Sequence, residues 1–198
     1  MRRTLWLAET SLFVPNNYYH VYNGGANKAK IFCDRKDYLL LLRQLKRHIN
    51  GFEITVIAYC LMSNHFHLML RQDGQAKISD FMQAVFHKYS MSFNQSHGHS
   101  GTLFEGPFRA ILIDKDEYLL HLCRYIHRNP LEAGIVKQPE QWPYSNYLEF
   151  LGQRKGTLID DEFIKVNFGS PEAYQSFVMN YVPPEKTQRE RRHYLFWD

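Results

Sequence analysis

The chain has 198 residues, 44% of them hydrophobic and 22% charged, which predicts one globular domain plus an extension, long enough to bury a sizeable core. No apolar run reaches the roughly 18 residues that a membrane-spanning helix needs. The opening MRRTLWLAETSLFVPNN is basic, but Glu9 interrupts its short apolar stretch, so a cleaved signal peptide is not expected. Three widely spaced cysteines, Cys33, Cys60 and Cys123, argue against a disulfide framework or a CxxC zinc site and predict buried thiols in a reducing compartment. The net charge of +4 is uneven: residues 1–100 carry 12 Lys/Arg against 6 Asp/Glu, and residues 101–198 carry 12 against 14. A basic first half in a chain with 13 Tyr and 14 Phe suits a nucleic-acid surface, though many enzymes share that balance.

Residues 1–17 read as a poorly ordered lead-in ending at the turn signal Pro15-Asn16-Asn17. Tyr18–Asn23 (YYHVYN) is aromatic and β-branched enough for a strand, closed by Gly24-Gly25. From Asp34, a helix cap, to Asn50, the residues Tyr38, Leu41, Leu42 and Leu45 recur at helical spacing. Glu53–Leu61 and His65–Arg71 read as a hairpin about the turn Ser63-Asn64. A second helix is predicted over Ile78–Phe93, followed by a polar loop holding His97 and His99. Pro107–Asp114 forms a fourth strand, and Asp116–Arg128 a third helix that stops before Pro130. The order β-α-β-β-α-β-α predicts an α+β fold whose first six elements make the split βαβ, ferredoxin-like sheet with helices on one face. The expected domain covers 18–141. Residues 142–198 are expected to form an appendage of short helices (144–151, 160–168 and 171–180) and a basic tail.

Two pairs of residues stand out. His65 and His67, two apart in a strand, project from one sheet face while Phe66, Leu68 and Leu70 project from the other. Two neutral imidazoles side by side can clamp a divalent metal; equally, they can be two partly exposed strand histidines. Tyr125 and Asn129, four apart, share a helical face. A phenol with a pKa near 10 is a poor nucleophile in water, but beside a metal-bound phosphate it can attack. The bland alternative is Tyr125 as core packing and Asn129 as a helix C-cap. A third helix laid over the helix-free face of the sheet brings Tyr125 and Asn129 over the histidines. Tyr89, on an apolar helical stripe, is read as core.

The segments YHVYNGG, AYCLMSNHFHLMLR, GTLFEGPFRAILID and EYLLHLCRYIHRNPLEAGIV, followed by WPYSNY, resemble the HUH single-tyrosine transposases, in their REP-associated tyrosine transposase branch. The likeness runs from about Tyr19 to Tyr147 and keeps the family's block order. It implies His65 and His67 as metal ligands, Tyr125 as nucleophile and catalytic residue, and Asn129 as third ligand. Further implications are Mg²⁺ or Mn²⁺ as cofactor, the cytoplasm of a bacterium as location (at the nucleoid when bound to DNA), and single-stranded DNA hairpins as partner, nicked and rejoined through a 5′-phosphotyrosine. Some relatives are dimers that share the tyrosine helix between chains, so either a homodimer or a monomer is compatible. No GxxxxGK[ST] motif is present, in keeping with chemistry that needs no nucleotide. Arg109, Arg124, Arg128 and Lys88 are the candidate phosphate-binding residues, beside the tail residues Arg189, Arg191 and Arg192; equally, each can be an ordinary solvated charge. The rival reading is a module that binds single strands or RNA hairpins without cutting them. A metal-dependent phosphohydrolase would want carboxylate ligands, and none is evident near His65.

Overall fold

The computed structural model describes residues 13–181; the first twelve residues and the basic tail, with Arg189, Arg191 and Arg192, lie outside the described residues. Four strands, β1 (Asn17–Gly24), β2 (Ile54–Leu61), β3 (His65–Gln72) and β4 (Arg109–Ile113), make one sheet in the order β2-β3-β1-β4. Every neighbouring pair is antiparallel. The α+β class and the four-stranded antiparallel sheet with helices are therefore as expected.

Strand alternation divides the sheet's side chains between two cores. On one face Tyr19 and Val21 of β1 and Phe66, Leu68 and Leu70 of β3 pack with residues of α1 (Arg35–His48) and α2 (Ile78–His97). Asp34 caps α1 by accepting from the backbone N–H of Lys36 and Asp37, which answers donors that the first turn leaves unpaired. Phe81, Val85 and Tyr89 of α2 are fully buried, and the Tyr89 hydroxyl donates to the Ile31 carbonyl, which makes it a core residue. On the other face Ile57, Cys60 and Met69 pack with α3 (Asp116–Glu132) and with α4 (Tyr147–Phe150), α5 (Asp161–Phe168) and α6 (Pro171–Met179). The protein is thus three layers, with the sheet in the middle.

Four local features differ from expectation. Residue Phe13, placed in a disordered lead-in by its composition, is buried against Tyr19, with ring centroids 5.1 Å apart. Helix α2 extends to His97, closed by Gly98 in the left-handed conformation (φ 59°), so His97 belongs to a helix and not to the loop. Cys33 is exposed, and only Cys60 and Cys123 are the buried thiols anticipated. Finally, α3 does not stop before Pro130. It continues to Glu132 with Pro130 inside. In the last turn the missing proline N–H removes one hydrogen bond and leaves the preceding turns intact, and the Ile135 N–H takes up the Pro130 carbonyl. The consequence is that Asn129 is a helix-interior residue with its side chain available to the sheet, not a cap.

The segment after Trp142 also protects an edge. β2 is an outer strand whose free side is met by residues 144–146: Leu61 N–H donates to the Tyr144 carbonyl, and Asn146 N–H to the Tyr59 carbonyl. Asn146 adds a side-chain hub. Its amide N–H groups donate to the Ile57 and Leu158 carbonyls, while its oxygen accepts from Tyr59 N–H and lies 2.9 Å from His127 Nε2. An edge strand so covered cannot recruit another chain.

Candidate active site

β1 and β3 supply the floor of the site. Tyr22 lies opposite His67 and His20 opposite Met69 in the antiparallel register, so His20, Tyr22, His65 and His67 all point away from α1 and α2. Helix α3 lies across β2, β3 and β4 on that side. It brings Tyr125 and Asn129, one turn apart, onto the histidines. The Tyr125 hydroxyl is 3.5 Å from His67 Nε2 and accepts from the Asn129 amide at 3.4 Å, and the Asn129 oxygen is 3.1 Å from His65 Nε2. The two pairs read from the sequence therefore meet in one chain. Two of the bland alternatives change: the histidines are buried, not partly exposed, His67 to 1%, and Asn129 is not the C-cap, while Tyr125 is half-buried and its ring also packs on the α3-side core.

Electrostatics favour the neutral ring at His20 and His67. Burial pushes the His67 pKa well below its ordinary value, with His20 and His65 adding repulsion, and burial takes His20 down to about 3. Neutral imidazoles are the form that binds metals. The hydrogen-bond geometry tests whether a cation fits. His65 Nδ1 is 2.8 Å from Asn64 Oδ1, and His65 Nε2 is 3.1 Å from Asn129 Oδ1. A neutral ring carries one N–H and can donate to only one of these oxygens. Donation to Asn64 leaves a nitrogen lone pair facing an amide oxygen, a repulsion that a cation between them relieves. Two ligands on adjacent octahedral positions, each about 2.1 Å from an ion, lie about 3 Å apart, as these two atoms do. The donor set of two imidazoles and an amide oxygen fits a divalent ion of borderline character, Mn²⁺ better than Mg²⁺.

The basic residues divide. Arg109 borders the site: it pairs across the sheet with Tyr22, and its guanidinium lies 6.0 Å from that ring, which is 5.8 Å from His67. Arg124 and Arg128 turn the other way. They donate to the carbonyls of Phe177 and Val178 at the end of α6, and Arg128 also pairs with Glu132. Arg124 sits over the rings of Phe177 and Tyr181. Both fasten α3 to the C-terminal helices instead of facing Tyr125. Lys88 is exposed on α2, on the opposite side of the sheet from His65 and His67.

Sequence reasoning missed three contributors. His20 Nε2 is 2.9 Å from His67 Nδ1, and Asn64 holds His65. The available signal for His20 was the two-residue period Tyr18, His20, Tyr22 within YYHVYN, which needs the β1–β3 pairing before it places the ring beside His67. The third is His127, buried behind Tyr125, with Nε2 facing the Asn146 oxygen and Nδ1 facing the Tyr174 hydroxyl at 2.5 Å. Burial lowers its pKa to about 4, so it donates to Asn146 and accepts from Tyr174 as a neutral ring. A second cluster, Cys33, Asp37 and His97, gathers metal-ligating atoms where α1 begins and α2 ends. There the Asp37 carboxylate is already committed, accepting from Cys33 N–H and Asp34 N–H and pairing with His97 at 3.0 Å. It serves as a clasp between helices.

Among the described residues no helix is long and apolar enough to cross a membrane. The fold is similar to that of a REP-associated tyrosine transposase bound to a REP hairpin, with a TM-score of 0.60 and 17% identity over 75% of this chain and 90% of that one. In sequence, a putative REP-associated tyrosine transposase of Haemophilus influenzae is 27% identical over 123 residues, which is 56% of this chain and 69% of the relative. Residues 13–129, more than half of the chain and the stretch that contains His65, His67, Tyr125 and Asn129, match the family profile described as "Transposase IS200 like", and the chain belongs to that family of DNA transposases.

Proposed function

We propose that the protein nicks and rejoins single-stranded DNA beside hairpins, with Tyr125 as the nucleophile. The observation that carries this reading is the convergence of the Tyr125 hydroxyl with His67 Nε2 and the Asn129 amide on a buried, two-histidine floor. In the forward step the phenolic oxygen bonds to phosphorus and the bond to the 3′ oxygen breaks. The phenol gives up its proton and the leaving oxygen takes one, which yields a 5′-phosphotyrosine and a free 3′-hydroxyl. One phosphodiester replaces another, so the step reverses without ATP, and a new 3′-hydroxyl completes strand transfer.

His65, His67 and Asn129 would hold a divalent ion, Mg²⁺ or Mn²⁺. Bound there, it would polarise the phosphoryl oxygens and stabilise the charge that develops on them. Tyr125 is half-buried, and its hydroxyl is oriented by the Asn129 amide. Arg109, beside Tyr22, is placed to meet a backbone phosphate. The hairpin bound by the structurally similar transposase supports a folded single-stranded DNA partner.

The test is a denaturing gel with single-stranded hairpin DNA from the flanks of the coding region, with Mn²⁺ or Mg²⁺. Wild type should give a protein band linked to DNA, and Tyr125→Phe and His65→Ala should give none. Equal binding without cleavage in all three proteins would replace the catalytic reading with that of a single-strand-binding module.

A further inference from the structure

We propose that His20 is a positioning residue for this site, its Nε2 accepting the Nδ1–H of His67 so that the lone pair of His67 Nε2 is held toward Tyr125 and Asn129. The inference rests on the reading of His67 as a metal ligand. His20 Nε2 and His67 Nδ1 are 2.9 Å apart, both rings are buried, and they stack at a 26° interplanar angle with centroids 5.1 Å apart. The contact is diagonal across β1 and β3, since His20 pairs with Met69 and His67 with Tyr22. His20 also packs on Tyr22 at 4.8 Å and meets the edge of the Tyr125 ring at 6.4 Å, so its orientation is set by three aromatic neighbours.

A 2.9 Å bond between two imidazoles forms with either ring as donor, but the two choices have opposite consequences. If His20 donates, the His67 proton moves to Nε2, where it meets the Tyr125 hydroxyl at a long 3.5 Å and blocks ligation. If His67 donates, its Nε2 carries the lone pair and presents it toward the Tyr125 hydroxyl. His65 shows the same construction independently: Asn64 Oδ1 stands 2.8 Å from its Nδ1 and leaves Nε2 toward Asn129. Both histidines are thus backed at Nδ1, with Nε2 turned to Asn129 in His65 and to Tyr125 in His67. Outer partners of ligating imidazoles are commonly carboxylates or carbonyls. Here both backing groups, His20 and Asn64, are neutral, so they would add no charge to offset that of an ion held by the site.

Two measurements on the full-length chain test this. Long-range ¹H–¹⁵N spectra of the imidazoles, in metal-free protein, should show His67 protonated at Nδ1. The signal should turn to the Nε2–H form or a mixture in His20→Phe and return in His20→Gln, whose side-chain oxygen can accept. An Nε2-protonated His67 in wild type overturns the proposal, and that result requires no variant to fold. Secondly, Mn²⁺ binding followed by electron paramagnetic resonance should weaken about 10- to 100-fold in His20→Phe, with partial recovery in His20→Gln, at unchanged melting temperature. Unaltered affinity in His20→Phe overturns the proposal too. A wild-type chain that binds no Mn²⁺ yet keeps His67 protonated at Nδ1 would remove the metal reading and uphold the His20–His67 bond.

Discussion

The two faces of the sheet are made from alternate residues of the same strands, yet they are built for opposite purposes. Toward α1 and α2, Tyr19, Val21, Phe66, Leu68 and Leu70 close an apolar core. Toward α3, one residue along each strand, His20, Tyr22, His65 and His67 carry polar atoms into equally complete burial. Buried polar groups are tolerated only where each finds a partner, and here Asn64 faces His65 while His20 and Tyr125 face His67. The apolar face thus stabilises the sheet, and the polar face uses that rigidity to hold a chemical arrangement together.

Substitutions that respect this division should separate activity from stability. The largest effect belongs to the polar face: Tyr125→Phe should abolish the covalent DNA adduct while the thermal melt stays within a degree or two of wild type. A large loss of stability would instead mean that Tyr125 is a packing residue. On the apolar face Leu70→Ala should cost about 2–5 kcal/mol by denaturant titration, through lost burial and a residual cavity. The fraction that remains folded should keep its Mn²⁺ affinity.

Between the faces lies the anchorage of α3. His127 is held neutral, with a folded pKa near 4 against an ordinary value of 6.5. Its contribution is complete above pH 6.5 and is lost as the pH falls toward 4, because the unfolded chain then binds the extra proton. The loss is on the order of 3 kcal/mol, and His127→Gln should flatten that part of the stability–pH curve. A smaller effect, about 1 kcal/mol, is expected for Tyr89→Phe, which leaves the Ile31 carbonyl without its hydroxyl donor. The least change should come from the basic residues. Arg109→Ala should weaken DNA binding and lower the salt dependence by about one phosphate contact, whereas Lys88→Ala, on the far side of the sheet, should do neither.

Much of the fold is legible in residue order because local rules act within single elements. The alternation in HFHLMLR, the Asp34 cap and the Leu41/Leu45 stripe each state their own structure. The end of α3 was less legible, since Pro130 is a strong breaker in isolation and the packing of α3 on the sheet overrides it. The roles of Arg124 and Arg128 were equally hidden. Flanking a candidate nucleophile, they look like phosphate ligands, but successive helical positions face different directions, and theirs is toward α6.

What the sequence determined by itself was the element order, the division of alternate strand residues between the two sheet faces and the pairing of His65 with His67 and of Tyr125 with Asn129, because each depends on short-range residue spacing. The tertiary structure decided that the two pairs meet, that His20 stands behind His67, and that residues 144–146 close the β2 edge. These contacts join positions up to 89 residues apart, such as Ile57 and Asn146. Only packing three layers around one sheet brings such distant positions within hydrogen-bond reach.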